Sequence, residues 1–132
     1  MPITMDGTTY QVRVKYNSLE QSFRLEDGPN AGTMMSGLRE RDLLGTYYDY
    51  SISVEPDPAS PEDYDRFFRA VSAPTPSHSI TLPDGDGTLT FQAMVYSGSH
   101  RYKGNIAGRA RWSGLTVYFE ALRPQRTPEE TL

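Results

Sequence analysis

The sequence lacks cysteine, and its 132 residues include only two histidines, His78 and His100. A chain without cysteine has no disulfide, no thiolate nucleophile and no cysteine-ligated zinc. Neither histidine has a second histidine or a carboxylate at the helical spacing of a metal motif, so we interpret both as surface or interface residues. The chain also has no nucleophile elbow and no phosphate-binding glycine loop. We therefore predict no metal site, no cofactor and no enzymatic activity.

Long apolar runs are also missing, since no stretch approaches the roughly 20 apolar residues that cross a bilayer. The first residues, Met1 to Asp6, have neither the positive charge nor the apolar core of a signal peptide. We expect a soluble protein that is made in the cytoplasm and has no membrane partner. Its 13 Lys and Arg against 17 Asp and Glu give a net charge of −4. This balance argues against a dedicated nucleic-acid binder, which is usually basic.

One acidic turn, Asp84 to Gly87, is similar to the opening of a calcium loop. An EF-hand loop needs an oxygen ligand at its ninth position and a bidentate Glu at its twelfth. Counted from Asp84, those positions hold Gln92 and Val95. We therefore interpret this segment as a hairpin turn rather than as a cation site.

Most of the chain alternates apolar and polar residues with the period of two that is typical of half-buried β-strands. Ile3 to Met5 can pair with the first of these segments across Asp6-Gly7, a favoured hairpin dipeptide. Residues 78–82 precede the acidic turn and form a hairpin with the strand that follows it. The alternating segments are residues 8–16, 47–55, 88–97 and 113–122, with 21–26 as a shorter candidate.

A single helix is predicted over residues 61–73. Ser60 is a preferred N-cap residue, Pro61 suits the first helical position, and acidic residues follow in the first turns. The apolar stripe has the spacing i, i+3, i+4, i+7 and consists of Tyr64, Phe67, Phe68 and Val71. A helix of about three turns is not stable alone, so this stripe must pack on a sheet.

These elements predict a mainly β fold: an antiparallel β-sandwich or barrel with one flanking short α-helix. The order of strands, helix, hairpin and strand lacks the βαβ alternation of a parallel sheet. The length fits one domain, which we place at residues 1–122. Residues 123–132 contain two prolines and are predicted to be a C-terminal tail that is flexible or held by a partner.

Two segments are candidate contact surfaces. Met34 and Met35 are adjacent within a Gly- and Pro-rich loop over residues 27–37, where they either tuck into the core or form an adaptable surface for a neighbouring subunit. Residues 98–112 are predicted to be a Gly-rich basic loop. Its cations and aromatic residues suit a protein interface, a nucleic-acid contact or a solvated loop. They are Arg101, Tyr102, Lys103, Arg109, Arg111 and Trp112.

The residue patterns and the order of four segments resemble those of small tail proteins of siphophages and prophages of Gram-positive bacteria. The segments are residues 44–55, 61–73, 77–83 and 111–128, and together they span nearly the whole chain. The order of strands, helix, hairpin and strand is also similar to the tail-tube and distal-tail fold. The resemblance implies a structural component of a phage tail, of tube, distal-tail or connector type.

In that case the protein is located in the tail of the virion after synthesis in the cytoplasm of the bacterial host. The resemblance implies a homo-oligomeric ring that also contacts other tail proteins, with DNA passing through a channel as the only nucleic acid nearby. Met34, Met35 and the basic segment over residues 101–112 are then expected to contact adjacent subunits.

The main alternative is a monomeric β-sandwich that binds a ligand, for example a carbohydrate at a cell surface. Exposed aromatic rings stack on sugars, so this alternative requires a concave aromatic face. The positions of Tyr47, Tyr102 and Trp112 discriminate between the two hypotheses. Rings clustered in one cleft favour ligand binding, whereas rings spread along opposite edges favour an assembly.

Overall fold

A computed structural model describes residues 1–28, 32–33, 39–40 and 43–128. The helix α1 is Pro61–Val71. The strands are β1 Ile3–Met5, β2 Thr8–Tyr10, β3 Val12–Val14, β4 Glu20–Asp27, β5 Gly32–Thr33, β6 Arg39–Glu40, β7 Leu43–Pro56, β8 His78–Asp84, β9 Gly87–Met94, β10 Gly98–Ile106 and β11 Arg109–Ala121. No helix among the described residues is long and apolar enough to span a membrane.

The main sheet is antiparallel and nearly closes on itself, which confirms the predicted fold class. Its strands follow the order β2-β1-β8-β9-β11-β7-β3. Because β2 and β3 are separated only by Gln11, one stretch of chain pairs with β1 at one end of this order and with β7 at the other. The Gln11 N–H donates to Asp63 of α1 over 2.8 Å, so the helix supports the point where the sheet closes.

The core is built from the inward residues of β7 and β11. Tyr50, Ile52 and Val54 of β7 and the alternate residues 115, 117, 119 and 121 of β11 are at most 2% exposed. Phe67 of α1 is fully buried and packs edge-on against Tyr10, with ring centroids 5.4 Å apart. The alternation read from the sequence therefore predicted the faces of both long strands.

The helix ends at Val71, two residues before the end that the sequence predicts. Ser60 has the expected position, but its side chain makes no capping hydrogen bond. The carboxylate of Asp63 instead accepts from Gln11 N and from Arg66, 2.9 Å away. Asp63 thus ties the first turn of the helix to the barrel rather than completing a capping box.

The loop prediction for residues 98–112 was wrong. Residues 98–106 form β10, and the next turn leads directly into β11 at Arg109. Two irregularities in the pairing allow this hairpin to continue, next to Gly104 with φ of 112° and Gly114 with φ of 71°. Glycine adopts positive φ without a steric cost, so the glycines that suggested a loop permit β-bulges instead.

Two hairpin arms project from the barrel in opposite directions. β11 pairs with β7 only over residues 115–119, while its pairing with β10 continues to Ile106↔Arg109. β7 pairs with β4 over residues 43–51, well beyond its last pair with β11, Phe119↔Tyr50. Because β7 and β11 are antiparallel, the β10–β11 arm and the β4–β7 arm extend from opposite ends of the sheet.

The β4–β7 arm is braced by residues 124–126 of the C-terminal segment. Thr46 N donates to Arg126 O over 2.8 Å, and Gln125 N donates to Thr46 O over 2.9 Å. The side-chain amide of Gln125 bonds both the N–H and the carbonyl of Tyr48, each over 3.0 Å. This part of the predicted tail therefore lies along β7 and pairs with it through one isolated bridge, Thr46↔Arg126.

Candidate assembly surfaces

Six of the residues that the sequence selected as interface candidates lie together on one arm. We call residues 101–113, the part of the β10–β11 hairpin beyond the barrel, the basic arm. It carries Arg101, Tyr102, Lys103, Arg109, Arg111 and Trp112. Met34 and Met35, the other two candidates, lie outside the described residues.

Strand pairing places the arginines of the basic arm on one side. Cross-strand partners share a face, and the pairs Arg101↔Ser113, Gly104↔Arg111 and Ile106↔Arg109 alternate with Tyr102↔Trp112. The arginines therefore point away from the helix, whereas the two aromatic rings point toward it. One hairpin thus presents a basic side and an aromatic side.

The cations of the basic arm have no ionic partner among the residues that the structure describes. Residues 98–113 contain no Asp or Glu. None of the four cations forms an ion pair with any described residue, whereas Arg13, Arg24, Arg66 and His78 are among the residues that do. This row of unpaired positive charges is available for an external anionic group.

The aromatic side of the basic arm is anchored to the helix through His100. The His100 ring stacks on Trp112 with centroids 4.5 Å apart and meets the edge of Phe68 at 4.1 Å. Tyr102 follows Trp112 at 5.2 Å and remains 54% exposed. The stack anchors the root of the arm and leaves the Tyr102 ring accessible.

The ionisation of this stack follows from its burial. Burial raises the pKa of Tyr64 to about 12, and its protonated hydroxyl forms a hydrogen bond with His100 Nδ1 over 3.0 Å. Burial also lowers the pKa of His100 from its usual 6.5. A neutral imidazole therefore stacks on Trp112 at neutral pH, and the charge of the basic arm comes from its Arg and Lys residues.

A second charged surface lies at the other end of the same sheet, and the sequence reading missed it. Arg24 of β4 lies among three carboxylates, at 2.8 Å from Asp49, 3.7 Å from Glu120 and in direct contact with Glu26. Glu20 adds a fourth carboxylate and forms no ion pair with a described residue. We call the outer side of β4, β7 and β11 that these residues form the acidic face.

The acidic face was hard to foresee because its members are scattered in sequence. They come from β4, β7 and β11, and become neighbours because β7 pairs with both other strands, for example at Ser22↔Asp49 and Phe119↔Tyr50. Alternation in each strand could have assigned them to the polar side. A groove of about 330 Å³ lies there, with Tyr118 beside the carboxylates and 67% exposed.

The β4–β7 arm also exposes apolar side chains. Phe23 and Leu25 alternate as strand residues, which predicts burial, yet they are 67% and 43% exposed. The reason is that they pair with Tyr48 and Thr46, where β7 has already passed the end of the barrel. Exposed apolar side chains that share one side of an arm are typical of a surface covered by a partner.

The two histidines have different surroundings. His78 is only 3% exposed and its Nδ1 lies 2.7 Å from Asp6, which corrects the interpretation of His78 as a surface residue. Partial burial alone would raise the pKa of Asp6, but hydrogen bonds from His78 and Ser79 N lower it. This pair fastens the β1–β2 turn to β8.

Among the described residues no three acidic or histidine side chains are grouped to hold a metal ion.

The three aromatic residues that discriminate between the hypotheses do not share a cleft. Tyr102 and Trp112 are in contact on the basic arm, while Tyr47 lies at the β4–β7 end under the Arg24 guanidinium, 4.4 Å from it. Val54 pairs with Leu115, so about ten residue positions separate Tyr47 from Trp112 along the sheet. At about 3.3 Å per residue this is roughly 30 Å, which favours an assembly.

Comparisons with known proteins identify no family. No protein-family model matches the chain, and no curated protein matches it either. Among solved structures, a chain from the tail of an empty gene transfer agent particle with C6 symmetry is 20% identical, with 86% of this chain and 80% of that one covered and a TM-score of 0.45. A chain from the virion of a native gene transfer agent particle is 18% identical, with 90% and 89% covered and the same TM-score of 0.45.

Proposed function

We propose that this protein is a structural subunit of a phage-like tail that acts by assembling with copies of itself and with other tail proteins. Its place is that of a ring subunit of tube, distal-tail or connector type, and no catalysis is involved. The sequence resemblance implies this role. The two similar gene transfer agent chains come from a tail and from a virion. Their TM-scores of 0.45 carry no argument, so the proposal rests on the arms of this chain.

The basic arm is the observation that carries the proposal. It extends beyond the barrel, it is anchored at its root by the His100 stack, and its four cations are left without ionic partners in the described residues. A two-stranded arm that extends beyond the barrel gains little for the fold of a monomer. Its anchored root and its exposure suit a contact with another subunit, because a preorganised surface loses less entropy on binding.

The opposite arm supports the same role. Phe23, Leu25 and Leu44 leave 67%, 43% and 46% of their surfaces exposed at the β4–β7 end. Interfaces that persist are richer in apolar area than ordinary surface. Two contact surfaces at opposite ends of one subunit are the arrangement that a ring or tube requires, since each subunit must bind two neighbours.

The test is the mass of the purified protein across a concentration series, measured by light scattering after size separation. Discrete rings or growing tubes at high concentration are the expected result. A test variant, Tyr102→Ser with Ile106→Ser, keeps the charge of the arm but removes exposed apolar surface. It should shift assembly to higher protein concentration. A wild-type protein that stays monomeric at every concentration and with its tail partners would contradict the proposal.

Carbohydrate binding remains the second candidate because of one observation. A groove of about 420 Å³ lies beside Trp112 and is also lined by Asp65, Arg69 and His100. An indole next to polar groups suits a sugar ring. Titration of short oligosaccharides, followed by the fluorescence of Trp112, the single tryptophan of the chain, tests it: a saturable change in a monomeric protein would favour this candidate.

A further inference from the structure

We infer that the basic arm of one subunit binds the acidic face of a second copy of this chain, in a head-to-tail contact. This inference rests on the proposed function and assigns the two surfaces that meet. The partner is therefore chemically defined as a sheet face with clustered carboxylates and an exposed tyrosine.

Charge complementarity is the first argument. The basic arm carries four positive charges and no carboxylate. The acidic face holds the carboxylates of Glu20, Glu26, Asp49 and Glu120 around the single cation Arg24. Contacts between two basic arms or between two acidic faces are disfavoured because their charges repel. A contact between the basic arm of one copy and the acidic face of another is favoured.

The two surfaces cannot satisfy each other within one molecule. Arg111 and Glu120 are nine positions apart on β11, which is about 30 Å along a strand. At an ionic strength of 0.1 M, charges separated by more than about 10 Å are largely screened. The attraction is therefore realised only when a second copy brings the surfaces into contact.

The chemistry of the acidic face suits arginine in particular. The groove beside Glu20, Asp49 and Glu120 offers carboxylate oxygens that can accept the paired N–H groups of a guanidinium. Tyr118 stands at its edge with 67% of its surface exposed and can lie against the flat side of the same group. Arg109 and Arg111, which project from the outer side of the arm, are the side chains that fit this groove.

A nucleic acid is the competing partner for a basic arm, and the sheet argues against it. The pairs Arg101↔Ser113 and Ser99↔Thr116 face outward, so the basic side of the arm is continuous with the outer side of β11. This outer side reaches Glu120 at the other end of the strand. An extended polyanion along this side would meet the acidic face, which repels it. A second copy turned head-to-tail meets opposite charge instead.

The experiment uses two charge-reversal variants of the full chain. The arm variant is Arg109→Glu with Arg111→Glu, and the face variant is Glu20→Lys with Glu120→Lys. Arg109 and Glu20 are exposed, whereas Arg111 and Glu120 are half-buried, so circular dichroism and thermal melting check that both variants fold. A matched control, Lys15→Glu with Arg123→Glu, changes the net charge as the arm variant does, at exposed positions outside both surfaces.

Wild type and control should assemble at low salt, whereas each reversal should raise the dissociation constant about 100-fold. Mixing the two variants is the decisive step. The arm variant retains only a working face, and the face variant retains only a working arm. An equimolar mixture should therefore assemble, through the intact arm of one variant and the intact face of the other, and this assembly should dissociate as salt is raised.

The outcomes separate this inference from the proposed function. Assembly that is indifferent to both reversals would overturn the inference and leave the structural role standing. Monomeric variants that do not assemble when mixed would overturn it too, as would a DNA duplex that binds wild type but not the arm variant and competes with assembly. A wild-type protein that remains monomeric at low salt would overturn both.

Discussion

The contact between the C-terminal segment and the β4–β7 arm depends on one glycine. Gly45 has φ of 148°, and a Cβ added there would lie 2.3 Å from Arg126 O and 2.6 Å from Pro124 Cβ. Both distances are far shorter than a van der Waals contact. We therefore expect Gly45→Ala to release residues 124–126 from β7.

The magnitude follows from what the release removes. Five hydrogen bonds join residues 125 and 126 to Thr46 and Tyr48. At about 1 kcal/mol each their loss costs about 5 kcal/mol, and the regained freedom of the released residues offsets part of it. We expect Gly45→Ala to lower the free energy of unfolding by about 2 kcal/mol beyond the cost of its unfavourable φ.

Gly104→Ala is the matched control, because Gly104 also has positive φ, 112°, but a Cβ there would meet nothing within 4 Å. Urea denaturation gives the two stabilities, and hydrogen exchange reports the amides of Thr46 and Tyr48. These amides should exchange faster in Gly45→Ala alone. Equal losses of stability in both variants, with Thr46 and Tyr48 still protected, would refute the reasoning.

Three further predictions concern the core and the titrating groups. Phe67→Ala should lower the free energy of unfolding by about 3–5 kcal/mol, because Phe67 is fully buried, and Phe68→Ala, at a partly buried position, should cost less in the same urea titration. Folding lowers the pKa of Asp6. The contribution of this carboxylate to stability is therefore present above pH 3.8, its usual pKa, and is lost as pH falls through the lowered pKa. Asp6→Asn should flatten the acid limb of a plot of melting temperature against pH. Folding also lowers the pKa of His100, so stability should decline as pH falls from about 6.5 toward that lowered pKa, and His100→Gln should remove this slope; an unchanged slope would contradict the burial of a neutral imidazole.

The interface residues show where sequence reasoning succeeds and where it stops. The concentration of cations and aromatic rings over residues 101–112 is a local property of the chain, so composition alone selected it. Its conformation was misjudged, because glycine signals equally a loop and a bulged strand, and only the pairing of β10 with β11 decides between them. The acidic face was missed because its carboxylates are distant in sequence and become neighbours only through strand pairing.

The sequence by itself determined the inward faces of β7 and β11, the existence and stripe of the helix, and the mainly β class. These follow from periodicities of 2.0 and 3.6 residues, which depend only on local backbone geometry. The tertiary structure decided that the sheet closes through Gln11, that two arms project from opposite ends, and that Phe23 and Leu25 stay exposed. Such features depend on which strands pair and where their pairing ends, and a pattern of apolar residues is the same on a strand inside the barrel as on one that extends beyond it.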